Sequence, residues 1–117
     1  MEKKLENLEL CPVSEGLRII GGKWRLQIIY KLGSQKRRFG ELKRLIPKIS
    51  EKMLIQELKS LTASGILNRK AYKEIPPRVE YSLTEYGKIV LPIIEQIKTF
   101  GEEIINRDKH FSHSEIE

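Results

Sequence analysis

Lys52, Gln56 and Lys59 recur at i, i+4 and i+7, a spacing that lines side chains along one face of a helix. Such a row presents donors to an anionic, acceptor-rich surface. Gln can pair in bidentate fashion with adenine, Lys with guanine or phosphate, and Ser50, just ahead of them, with either. Upstream lies a basic block, Lys36, Arg37, Arg38, Lys43, Arg44 and Lys48, opposed only by Glu41. Downstream, Lys70, Lys73 and Arg78 flank the pair Pro76-Pro77. The residues that support catalysis are scarce by comparison. The single Asp is Asp108, and both histidines, His110 and His113, lie beside it near the end of the chain. Cys11 has no neighbouring His or Asp, and no Gly-rich phosphate loop follows a strand. His110 and His113 offer two ligands where a structural zinc site takes four. Neither an enzyme, nor a metal, nor a cofactor is expected.

The charge is unevenly placed. Residues 13–83 carry 16 of the 22 Lys/Arg but only 6 of the 16 Asp/Glu, so the formal net charge of +6 belongs to the middle of the chain and the ends are mildly acidic. A polyanionic partner and a well-solvated surface both fit that observation. The chain of 117 residues suits one domain with a modest core. Its longest apolar stretch, residues 89–94, is broken by Pro92 and falls far short of the ~18 residues a membrane span needs. With one cysteine there is no internal disulfide, and residues 1–10 show no signal pattern, so a cytoplasmic protein is expected.

The elements that would position these residues can be read from apolar periodicity. Pro12-Val13 opens a helix with Val13, Leu17 and Ile20 on one face, and Gly21-Gly22 ends it. Trp24, Ile28, Ile29 and Leu32 mark a second helix, with Trp24 as a core anchor. After "SQKRRF", a loop or short strand, "FGELKRLI" forms a short helix with Leu42, Leu45 and Ile46 inward, stopped by Pro47. Ser50 caps a fourth helix whose buried stripe is Leu54, Leu58 and Leu61, and Gly65 closes it. Residues 66–72 and 79–83 read as strands of a hairpin. Thr84 caps a last helix running to about Asn106, where Pro92 implies a kink or a late start. Residues 1–106 then form one domain, and residues 107–117 a polar tail.

A short helix, a tight turn and a capped helix with a polar outer face make a helix-turn-helix, and the hairpin after it makes a wing. In that arrangement the second helix enters the major groove by its N-terminal end, so Ser50, Lys52, Met53, Gln56 and Lys59 face DNA. The wing explains the two prolines. A hairpin tip that meets a phosphate backbone gains from fixed φ angles, which lower the entropy lost on binding, and Arg78 supplies a cation. The fold class is mainly α (α+β). A protein-binding winged helix and a non-specific nucleic-acid binder remain alternatives at this point.

The segments "CPVSEGLRIIGGKW", "RRFGELKRLIPKISEKMLIQELKSL", "GIL" and "PPRVEYSLTEYG" closely resemble the HxlR family of bacterial winged-helix transcription regulators, a branch related to MarR proteins. The resemblance runs from Cys11 to about Gly101. It implies a homodimer whose terminal helices form the interface and whose wings grip a palindromic operator in double-stranded DNA. The candidate DNA-facing set is Arg37, Arg38, Lys48, Ser50, Lys52, Met53, Gln56, Lys59, Lys73, Pro77 and Arg78. The chain departs from its relatives at Glu57, where many carry a basic residue, so base preferences do not carry over.

The last helix has more apolar positions than one small domain can cover, and with residues 1–12 it is the natural dimer element. Tyr86, Val90, Ile94, Ile97, Phe100 and Ile104 are the candidate interface. Cys11 directly precedes the first helix, whose dipole favours a thiolate. Some members of the family are similar in using a cysteine at this point to sense oxidants or electrophiles. Cys11 is therefore the candidate for redox or ligand sensing, with a small-molecule or oxidant inducer as its partner. A half-buried packing residue is the alternative.

Overall fold

The computed structural model describes residues 10–116, and the side chains of residues 10–109. Its elements are Pro12–Ile20 (α1), Arg25–Leu32 (α2), Phe39–Leu45 (α3), Glu51–Ala63 (α4), Leu67–Tyr72 (β1), Arg78–Leu83 (β2), Glu85–Lys88 (α5) and Val90–Ile116 (α6). Expectations that fall on residues 1–9, or on the side chains of His110 and His113, lie outside the described residues.

The core is built from one apolar stripe per element. Ile28, Ile29 and Leu32 of α2, Leu42 of α3 and Leu54, Leu58 and Leu61 of α4 are fully buried, joined by Ile46 and Ile49 from the α3–α4 turn. Ile66, Leu67 and Leu83 close it from the hairpin, and Trp24 packs half-buried against its edge. Leu45, expected to face inward, is exposed. It is the last residue of α3, and Leu42 and Ile46 fill the inward positions there.

The strands pair antiparallel from Leu67↔Leu83 to Tyr72↔Arg78. Arg37 adds a one-residue bridge to the hairpin: its N–H donates to the Tyr81 carbonyl (2.9 Å), and its carbonyl accepts the Tyr81 N–H (2.8 Å). "SQKRRF" is thus a loop with a single bridge. Gly65, at φ +79°, turns the chain from α4 into β1, a conformation that favours glycine.

The C-terminal region differs from the single helix expected over residues 84–106. Thr84 does cap a helix, its Oγ1 accepting the Gly87 N–H at 2.9 Å, but α5 ends after one turn at Lys88. The long helix starts afresh at Val90. Pro92 lies in the first turn of α6, where its missing N–H would have had no partner. The late start is the outcome. The helix also runs ten residues beyond Asn106, through the segment expected to be a polar tail.

α1 buries no residue, and Val13 and Leu17 are exposed along it. Of the expected apolar face, Val13 and Leu17 lie away from the core, while Ile20 packs half-buried against it.

Candidate nucleic-acid interface

α3, the turn over residues 46–50 and α4 present the donors found in the sequence. Ser50 Oγ accepts the Met53 N–H at 3.0 Å, which fixes the start of α4 and occupies part of the hydroxyl's capacity. Lys52, Met53, Gln56 and Lys59 are exposed on α4, and Lys48 is exposed on the turn before it. They share the outer side because Leu54, Leu58 and Leu61 take the inner one. Lys43 is held locally, donating to the Pro47 carbonyl at 3.0 Å. Arg38 opens α3, its N–H bound by Glu41 at 2.9 Å, and its side chain is exposed.

Two of the candidate cations are used within the fold. Arg37 is half-buried and donates Nε to the Lys31 carbonyl at 2.6 Å, tying the bridge strand to the end of α2. Arg78 lies over the Tyr72 ring, 3.9 Å from its centroid. Its Nη2 is 3.2 Å from Glu74 and its Nε 3.8 Å from Glu80. A stacked guanidinium between two carboxylates stiffens the wing and has little charge left to offer outward. Lys73 and Pro77 are exposed at the tip, where Glu74 and Ile75 also lie.

Lys36, Arg69 and Lys70 are cations that the reading of the sequence left out of the interface. They border a groove of about 370 Å³ along the hairpin, with Asn68 and Tyr72. Arg69 and Lys70 occupy alternate faces of β1, yet both are exposed because the hairpin stands away from the body. Strand alternation together with a protruding wing is the signal that finds them.

Glu57, noted in the sequence without a partner, has one in the fold. It faces sideways and accepts Arg25 Nε at 2.8 Å, half-buried beside the Ser60 hydroxyl, which accepts Arg25 Nη2 at 3.0 Å. Glu57 thus belongs to the joint between α2 and α4.

Away from this face lies an apolar surface. Tyr86, Ile97 and Phe100 are exposed, and so are Ile89, Ile93 and Ile105. Val90 and Ile94 do not belong to it: both are buried in the protomer's own core, since the late start of α6 turns them inward. Ile104 is half-buried. Ile19, Ile20, Tyr86, Ile89 and Ile93 line a groove of about 390 Å³ between α1 and the α5–α6 junction.

Cys11 is the N-cap of α1 and is exposed. Hydrogen bonds from the Ser14 backbone, the Ser14 side chain and the Val13 backbone hold its thiol below the usual cysteine value. Among the described residues no cluster of His, Cys, Asp and Glu could hold a metal ion, and no helix is long and apolar enough to cross a membrane.

Residues 19–109 match the profile described as HxlR-like helix-turn-helix. The chain is 44% identical over 102 residues to the uncharacterized HTH-type transcriptional regulator YdeP of Bacillus subtilis, covering 87% of this chain and 80% of YdeP. A structure titled as a MarR-family transcriptional regulator from Porphyromonas gingivalis superposes with a TM-score of 0.79 at 55% identity, over 83% of this chain and 95% of that one. The redox regulator HypR in its reduced form superposes with a TM-score of 0.78 at 44% identity, over 87% and 99% of the two chains.

Proposed function

The chain belongs to the HxlR-like helix-turn-helix family and is a transcriptional regulator of that type, and on that premise we propose that it binds a pseudo-palindromic operator as a homodimer. α4 enters the major groove, with Gln56 and Lys52 at base edges and Lys48 and Lys59 at phosphates. The wing follows the backbone through Lys73, with Lys36, Arg69 and Lys70 behind it. The observation that carries this reading is the outer face of α4, polar, basic and open between the Lys48 turn and the hairpin. The apolar surface of α1, α5 and α6 supports the dimer, since a second copy would cover it.

Cys11 is the input in this proposal. Its exposure and lowered thiol value suit a reactive thiolate, and a redox regulator is among the similar structures. With peroxide, two Cys11 thiols of a dimer lose two protons and two electrons, joining as an intersubunit disulfide while the peroxide becomes two waters. Such a bond would change the separation of the two α4 helices.

A salt titration on a palindromic and a scrambled duplex tests the DNA reading. The proposal expects tighter binding to the palindrome, by a factor that persists as salt rises. Equal binding to both would mean a non-specific nucleic-acid binder, and no binding to either a protein-binding module. Sedimentation tests the dimer. A monomer at micromolar concentration would overturn it.

A further inference from the structure

The guanidinium of Arg25 joins three helices. It sits at the first residue of α2, yet Nη1 donates to the carbonyls of Ile19 (2.9 Å) and Arg18 (3.2 Å) at the end of α1. Nε donates to Glu57 (2.8 Å) and Nη2 to Ser60 (3.0 Å), both on α4. The carbonyls are those a helix end leaves without partners, and a cation there is favoured by the helix dipole. Only a planar fork can reach acceptors on both sides at once. α1 buries no residue of its own, so this fork and the half-buried Ile19 and Ile20 are what fix α1 against the body. Glu57 follows Gln56 directly, about 100° further around α4. Leu54, Leu58 and Leu61 fix which side of α4 is inward, and holding Glu57 therefore steadies the rotation at which Gln56 faces outward.

We infer that Arg25 is a positioning residue for DNA recognition, transmitting the placement of α1 to the base-reading face of α4. It touches no base or phosphate. It acts by holding the Glu57 side of α4 against α1, whose far end carries Cys11. The inference rests on the proposed reading of α4 as the helix in the groove.

The test compares Arg25→Lys, Glu57→Gln and the double variant with wild type. Arg25→Lys keeps the charge but reaches fewer acceptors, and Glu57→Gln keeps an acceptor oxygen without the ion pair. Each single variant should lose roughly tenfold in affinity for the palindromic duplex, within the usual range for coupled sites. Affinity for scrambled duplex and the salt slope should stay at wild-type values, and the double variant should be no worse than the worse single one. A core variant, Ile29→Val, chosen for a similar fall in thermal midpoint, should keep its operator affinity. Hydrogen exchange without DNA is the independent measurement: amide protection should fall in α1 and α4 together in both single variants. Equal losses on both duplexes with a reduced slope would make Arg25 a phosphate contact and overturn the inference. So would additive losses, or exchange that changes in α1 while α4 stays protected. Wild type that prefers neither duplex would sink the operator reading. The exchange data would then still decide whether Arg25 couples the two helices.

Discussion

Gly87→Ala should weaken the joint that hangs the C-terminal helices on the DNA-binding body. Gly87 is buried in α5 with an ordinary negative φ, so the effect comes from close approach and not from backbone strain. A Cβ there would overlap the Ile66 carbonyl. That carbonyl accepts the Thr84 N–H at 3.0 Å, while Thr84 Oγ1 donates to the Gly65 carbonyl at 2.6 Å and caps the Gly87 N–H at 2.9 Å. To admit a methyl group, α5 must move off the turn after α4. Overpacking of this kind costs about 1–3 kcal/mol. Two weakened hydrogen bonds add about 1 kcal/mol each, and the better helix propensity of Ala returns about 1 kcal/mol. The net loss is about 2–4 kcal/mol, which at roughly 4 °C per kcal/mol for a chain of this size lowers the melting midpoint by about 8–16 °C. Circular dichroism melts at one fixed protomer concentration read it, because the proposed dimerisation would make the midpoint concentration-dependent. Gly40→Ala is the control: its Cβ meets only Arg44 Nη1, at 3.7 Å, so its midpoint should be unchanged or raised. A Gly87→Ala midpoint within about 4 °C of wild type would refute the packing argument.

Gln56→Ala should cost about 1–3 kcal/mol on the palindromic duplex and relax preference at one or two base pairs, measured by competition with single-base variants of the site. Lys73→Ala should lower the salt slope by about 0.9 on any duplex, since an exposed cation at the tip is lost with the hairpin intact. Arg78→Ala should change the slope less than Lys73→Ala but raise hydrogen exchange along both strands of the wing, because it removes the Tyr72 stack and the contacts to Glu74 and Glu80. The reverse ranking of those two slopes would mean that Arg78 leaves its stack to meet phosphate. The alkylation rate of Cys11 should reach half its plateau at a pH below that of an ordinary thiol, and Ser14→Ala should move this midpoint up only in part, since it removes the hydroxyl's bond and leaves the larger effect of the Ser14 backbone N–H.

The local devices of the fold were legible because each is written in neighbouring residues. Ser50 and Thr84 cap the helices they precede, and the Leu54, Leu58, Leu61 stripe faces inward. The division at Ile89 was harder to see, because residues 86–94 keep an apolar pattern straight through it. Pro92 marked a disturbance, but only the close seat of Gly87 on Ile66 shows how α5 is held to the turn after α4 before α6 begins. For the same reason Val90 and Ile94 could not be told from Ile97 and Phe100: periodicity gives a face, and the start point decides which residues fall on it.

The site was legible in its donors and less so in its charges. Spacing alone brings Lys52, Gln56 and Lys59 to one side of α4, but it says nothing about which cations meet an acceptor from another element. Three arginines do. Arg25 takes acceptors on α1 and α4, Arg37 the end of α2, and Arg78 the wing's own ring and carboxylates. Lys48, Lys52, Lys59 and Lys73 stay exposed. The division follows from hydration and shape. A weakly hydrated planar guanidinium can lie half-buried across several acceptors, whereas a strongly hydrated ammonium on a flexible stem remains in water. The excess of Lys/Arg in residues 13–83 therefore overstates the field offered to DNA. Three of those cations organise the surface, and the salt dependence of binding should follow the ones left outside.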